Sequence, residues 1–259
     1  MNRNILPVFV FTVLGCPWLA ASPAVLADAR AALQARDLPR ASALATPLVD
    51  DPAAGADACA LLAEVSLLEK NPAVAVKWAE KATTLAPDQA GHHALLGSAL
   101  GQRLGELPFL QQAVMAGRLR RAFARAVELD PRNLGGLIGL SRYHANAPEI
   151  AGGSTAKARE FAERVRQINP YLGWLEFAHI AGQEQQFGEV VLAYEEADKL
   201  KPLPPGLLLK LAEALIAADR KAEARARLEQ IAPGTPRHAE AQALLATLSP
   251  ASGAAASRP

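Results

Sequence analysis

The residues with reactive side chains are few and scattered. The histidines are His92, His93, His144, His179 and His238. A metal centre needs three or four converging ligands, and no two histidines stand four apart with an acid between them. His93 and His144 occupy packing positions, so no metal and no cofactor is expected. Ser154-Thr155-Ala156-Lys157 has the Ser-x-x-Lys spacing of penicillin-interacting enzymes. The further Ser-Asp-Asn and Lys-Thr-Gly elements of that chemistry are missing, and Ser154 reads as the N-cap of a helix. Gly152-Gly153 precedes it, but no Gly-Lys-Ser/Thr follows as a phosphate loop requires. Cys59 lies in the apolar run Ala58-Cys59-Ala60-Leu61-Leu62 and reads as a small buried residue. Nothing pairs a nucleophile with a base, so the chain is read as a non-enzyme. Arg118, Arg121 and Arg125 fall on one helix face with Arg120 beside them, the solvated side opposite Leu119, Phe123 and Ala126. Such a local basic patch could serve anionic lipid or an acidic partner.

Positioning any of these residues falls to helices. About a fifth of the 259 residues are alanine, the strongest helix former, while aromatic residues supply 5%. The 27 basic and 26 acidic residues leave a net charge of +1, which argues against nucleic acid as a partner. The first 27 residues read as a secretory signal: Arg3, then an apolar run from Ile5 to Leu14, then Val25-Leu26-Ala27 before a cut. The mature chain then starts at Asp28 and is exported to the periplasm or beyond. A competing reading takes Val13-Leu14-Gly15-Cys16 as a lipobox, with lipidated Cys16 as a membrane anchor.

A repeat runs from Ala56 onward. Prolines at 87, 131, 170, 202 and 236 close helical stretches. Twelve residues before each stands Ala75, Leu119, Ala158, Val190 or Ala224, and five before each stands Ala82, Ala126, Val165, Ala197 or Ile231. Eight before each is Ala79, Phe123, Ala162, Tyr194 or Leu228, so every set shares one helix face. A preceding helix carries a bulky residue and then a large-small pair: Cys59-x2-Leu62-Ala63, His93-x2-Leu96-Gly97, Leu137-x2-Leu140-Ser141, Trp174-x2-Phe177-Ala178 and Leu208-x2-Leu211-Ala212.

These residues resemble the tetratricopeptide repeat, whose pattern is W-x2-L-G-x2-Y, A-x3-F and a closing P over about 34 residues. The fourth unit matches best, with Trp174, Phe177, Ala178, Ala181, Tyr194, Ala197 and Pro202. The third follows with Leu96, Gly97, Phe123, Ala126 and Pro131. Only one unit has the opening tryptophan, and none has the tyrosine that ends the first helix. The resemblance implies an all-α helix-turn-helix solenoid over 28–248: five full units, a degenerate unit before them (Asp28 to Pro52, with Ala41 and Leu44), and a capping helix over Arg237 to Leu248. Residues 249–259 have nothing to bury and are expected to be disordered.

The resemblance also implies a concave groove lined by the first helix of each unit and a protein or peptide as partner. Carried over residue by residue, the lining is Ala60 and Glu64, Ala94 and Ser98, Ile138 and Arg142, Leu175 and His179, Leu209 and Glu213. Arg142 and His179 are its expected polar contacts. The lysine and asparagine clamp by which some members hold a terminal carboxylate is absent. Two units are longer than the rest. One insertion spans Gly101 to Gly117; the other is the turn Asn146 to Gly153, with Pro148 ahead of Gly152-Gly153. That turn is similar to those of exported bacterial repeat proteins, including relatives of the T component of TRAP-type transporters. The second reading of function is therefore a solute-binding accessory of a transporter, after an envelope binding scaffold. Self-association through the groove also remains open.

Overall fold

The structure is a computed structural model that describes residues 18–248. Arg3, the run Ile5 to Leu14, Cys16 and the tail 249–259 lie outside the described residues. Among those described there are thirteen α-helices and two short 3-10 turns, with no strand. They divide into two compact units between Asp88 and Gln89.

The first unit holds α1 (Trp18–Gln34), α2 (Leu38–Ala45), α3 (Gly55–Leu68) and α4 (Pro72–Leu85). Leu26, Ala29, Ala32, Ala41, Ala45, Leu61, Leu62 and Val65 form its core, with Trp78 packed against it. The degenerate unit is thus a helix pair, and Ala41 is fully buried as its pattern demands. The expected cut after Ala27 falls inside α1; the part from Asp28 keeps the buried Ala29 and Ala32. Cys59 is fully buried, and burial pushes its thiol pKa up, which suits a packing residue better than a reactive one.

The second unit runs α5 (Ala90–Leu104), α6 (Phe109–Leu129), α7 (Leu134–Asn146), α8 (Thr155–Ile168), α9 (Pro170–Gln183), α10 (Phe187–Leu200), α11 (Pro205–Ala217), α12 (Lys221–Glu229) and α13 (His238–Leu248). Each helix packs on the next, and the first helices of successive repeats, α5 with α7 and α7 with α9, also lie side by side. Local chemistry sets most of the boundaries. Asn71, Asn133, Ser154 and Asn169 each accept a backbone N–H two or three residues into the helix that follows. Ser154 is therefore the cap of α8, as its place ahead of that helix implies.

Four of the six helix pairs turn in the same way. Arg36, Lys70, Gln185 and Asp219 all have φ near +60°, and in each case the next residue donates its N–H to a carbonyl five residues back. This is a Schellman closure made without glycine. Arg36 and Lys70 stand 34 residues apart, as do Gln185 and Asp219, so the backbone itself records the repeat length.

The two pairs without this turn carry the insertions. The first insertion lengthens a helix: α6 has 21 residues where α4, α8 and α10 have 14. The second folds into a 3-10 turn, Glu149–Ala151, ahead of Gly152 at φ +90°. Tyr143 donates its hydroxyl to the Ala151 carbonyl, and the His144 Nδ1–H donates to Gly152 O at 2.9 Å. Gly153 is required there, because a Cβ would stand 1.7 Å from the Ala147 carbonyl oxygen. The proline rule fails at one place. Helix α12 stops at Glu229, seven residues before Pro236, and buried Ile231 packs from the turn after it. Pro170 closes α8 by opening α9, where its missing N–H costs no hydrogen bond.

Close approach of helices holds the second unit together. The Phe123 ring of α6 lies against both α5 and α7: a Cβ on Gly97 would meet it at 2.5 Å, and one on Gly139 at 2.4 Å. Ala126 is fully buried one turn on, where a Cβ on Gly136 would come within 3.1 Å of its methyl. Ala126→Leu should overpack this contact and cost about 1–3 kcal/mol; a melting temperature equal to wild type would show the contact to be looser than described. Burial also depresses the pKa of His144, as do the charges of Lys157 and Arg120, while its bond to Gly152 works the other way. Because the folded pKa lies below the unfolded value of 6.5, the unfolded chain takes up the proton first. Stability should therefore be full above about pH 6.5 and fall as the pH drops through it. Thermal melts from pH 8 to pH 5 check this, and His144→Phe should flatten the slope.

Candidate functional site

The expected lining residues sort into packing residues and surface residues. Ala60, Ala94 and Leu209 are 8%, 7% and 5% exposed, so they belong to the core and line no groove. Glu64 is exposed on α3 of the first unit. On α5, Ser98 is exposed, but its hydroxyl donates to its own helix at Ala94 O, 3.1 Å away. Ile138 on α7 and Leu175 on α9 are half-buried, each one turn before the polar residue paired with it. Glu213 is exposed on α11, and its charge helps burial push the pKa of Tyr194 up.

Arg142 and His179 share one neighbourhood, and its organising residue is Glu176. That carboxylate is 2% exposed on α9, with Phe177 after it and Trp174 and Leu175 before it. Arg142 on α7 grips it with two guanidinium nitrogens: Nε donates to both oxygens at 3.1 Å, and Nη2 donates to Oε1 at 2.7 Å. The geometry is fixed by two forks meeting, and it joins one repeat to the next. The Arg142 side chain nevertheless stays 56% exposed, so the guanidinium faces both its buried partner and solvent. His179 stands one turn after Glu176. Its Nε2 is buried with no hydrogen-bond partner. Burial lowers its pKa, and the Arg142 and Lys210 charges lower it further against the pull of Glu176. The ring is thus held neutral, able to donate or accept one hydrogen bond.

The sequence pattern brings Arg142 and His179 together but does not single out Glu176. Its register matches Gly139 of the preceding repeat, a position that the Leu137-x2-Leu140-Ser141 pattern leaves unspecified and that the structure buries. The missed signal is a lone acid in the apolar helix Trp174-Leu175-Glu176-Phe177-Ala178, which requires a cation from a neighbouring element. Other cross-helix pairs flank the site. Arg159 donates to Glu184, Gln186 and Glu189, and Arg227 to Asp198. Among the described residues no group of three His, Cys, Asp or Glu side chains could hold a metal ion. A surface hollow in the first unit is lined by Pro23, Leu26, Ala27, Arg30 and Asp57, with Arg30 and Asp57 paired at 2.9 Å. Three of those five residues precede the expected cut.

Known proteins with this arrangement of helices are numerous. The sequence profile of the tetratricopeptide repeat matches residues 183–248, from the end of α9 through α13. No curated protein matches the sequence. TTC0263, a thermophilic tetratricopeptide-repeat protein of Thermus thermophilus, superposes with a TM-score of 0.66 at 15% identity, over 76% of this chain and all of its own. PilW, a widely conserved type IV pilus biogenesis factor, does so with 0.68 at 19% identity, over 88% and 98%. The pilF protein of Pseudomonas aeruginosa gives 0.60 at 21% identity, over 86% and 97%. At these identities the likeness is one of fold. The profile match places residues 183–248 in the tetratricopeptide repeat, and the described residues share the helix-pair fold of these proteins.

Proposed function

We propose that the chain is a non-enzymatic binding scaffold of the bacterial envelope that takes a protein segment along the first helices of its second unit. One observation carries this reading. The Arg142 guanidinium is locked by a carboxylate on the next repeat, yet more than half of the side chain faces solvent. A long side chain normally loses rotamer freedom when it binds a partner; here that loss has already occurred on folding. His179, half-buried one turn after Glu176, stands in the same neighbourhood. Ile138 and Leu175, half-buried one turn away, supply the apolar contacts that an extended or helical segment would use. The fold shared with PilW and pilF is in keeping with a protein-binding role.

The test must respect the buried carboxylate. Reversing Arg142 alone would strand Glu176 and unfold the contact, so its effect on binding would be uninterpretable. Replacing the pair together by Arg142→Met and Glu176→Met removes the charge while keeping the volume, a change that is often neutral for stability. Affinity capture from detergent-solubilised envelope should lose its partner with this double variant and with His179→Leu, at an unchanged circular dichroism spectrum. A partner retained by both variants would move the site elsewhere.

Export is the second part of the proposal. It rests on Arg3, the apolar run Ile5 to Leu14, and the small residues at Val25 and Ala27. The mass of the protein recovered from the producing cell should correspond to a chain beginning at Asp28. A diacylglyceryl mass on a chain beginning at Cys16 would instead make it a lipoprotein, and an intact Met1 would overturn cleavage altogether.

A further inference from the structure

We infer that the buried Glu176 decides what the Arg142 guanidinium can hold. The site takes an uncharged carbonyl oxygen of the bound segment, from its main chain or from an Asn or Gln side chain, and rejects a carboxylate. The inference rests on the reading that a protein segment binds along these first helices, and it adds the chemistry of the contact.

The hydrogen bonds of Arg142 leave donors to spare. A guanidinium carries five N–H groups in a planar fork. In Arg142 the Nε–H is shared between the two Glu176 oxygens, and one Nη2–H goes to Oε1. The other Nη2–H and both hydrogens on Nη1 have no acceptor among the described residues. With the Arg142 side chain 56% exposed and Glu176 buried, those donors lie on the solvent side of the ion pair. Their directions are fixed, because two nitrogens of the plane are already held against the carboxylate.

The charge behind those donors is already matched. Glu176 is buried, so its negative charge is poorly screened by water or salt, and it stands across the guanidinium plane from any ligand. A second carboxylate would shed its hydration for a pair whose net charge is zero, and it would be repelled by the first. A carbonyl oxygen carries no net charge, so its transfer from water costs less. The neighbouring repeats supply no surplus cation. On α5 the position that matches Arg142 holds Ser98. On α11 the positions that match Glu176 and His179 hold exposed Lys210 and Glu213, one charge of each sign. Half-buried Ile138 and Leu175, each one turn before Arg142 or His179, add an apolar margin that further disfavours a hydrated anion.

Selection from a displayed library of random dodecapeptides tests the proposal, with the full-length protein as bait. Dependence on the site is read with the double variant Arg142→Met and Glu176→Met. Peptides that this variant loses should show no enrichment in Asp or Glu. Their affinity should change less than about twofold between about 50 mM and about 300 mM salt. Arg142→Lys keeps the charge but turns a compact ammonium towards Glu176, and it should bind these peptides about tenfold more weakly. Glu176→Gln keeps the side-chain volume and a carbonyl for Nη2 while leaving the guanidinium charge unmatched. Its selection should shift to acidic peptides, which should bind it about tenfold more tightly than wild type at low salt and lose that gain at high salt. Melting temperatures establish that both single variants fold; if Glu176→Gln does not, the wild-type peptides and Arg142→Lys decide alone. Acidic enrichment on wild type, a steep salt dependence, or an Arg142→Lys variant that binds as wild type does would overturn the proposal and leave the site standing. If no selected peptide depends on Arg142 and Glu176, the site itself is misplaced, and this proposal falls with it.

Discussion

Everything in this molecule depends on how closely two helices can approach. Helices of about 14 residues are marginal alone, and each is held by burying one face on its neighbours. Alanine and glycine at the contact positions set that distance. The Phe123 ring shows the constraint at its tightest, since it fills the space that Gly97 and Gly139 leave on two different helices. A side chain on either glycine would push α6 away from α5 or α7. Fully buried Ala75, Ala126, Ala158, Ala197 and Ala224 repeat the device through successive helix pairs.

Close packing through small residues leaves little apolar area per contact, and charged side chains reinforce the joints. Arg142 reaches from α7 to the buried Glu176 on α9, Arg159 ties α8 to the turn before α10, and Arg227 ties α12 to the end of α10. Most of these pairs are surface pairs of small individual value. The Arg142–Glu176 pair differs because one partner is wholly desolvated: it contributes register between repeats more than net stability. It also leaves a guanidinium that is ordered before any partner arrives. One interaction thus serves the fold and holds a solvent-facing guanidinium in place.

The two insertions depart from the repeat without disturbing it. Both fall between the first and second helix of a pair, where the other four pairs use the same left-handed turn. At that place extra residues need not enter the core. One insertion adds turns to α6 and extends its arginine-bearing face; the other builds the glycine-dependent turn that displays Ile150. Repeats fix the scaffold, and the irregular connections give it a surface of its own.

The sequence by itself determined the helix pairs, their order, and which residue of each faces its neighbour. Those features follow from local rules, namely small residues at offsets of three and four, the Ser154 cap, and prolines that cannot continue a helix. Arg142 and His179 were legible as neighbours for the same reason, since they occupy one register in successive repeats. Tertiary structure alone decided the rest. Glu176 acquires its meaning from an arginine 34 residues earlier, and the unpartnered nitrogen of His179 from what its neighbours leave unfilled. The early end of α12 and the burial of Ala60, Ala94 and Leu209 depend on packing that no local pattern encodes. The full exposure of Ile150 depends on bonds from Tyr143 and His144 that exist only once α7 and the turn have folded together. Periodicity reports which face of a helix is inward; it carries no record of what stands opposite.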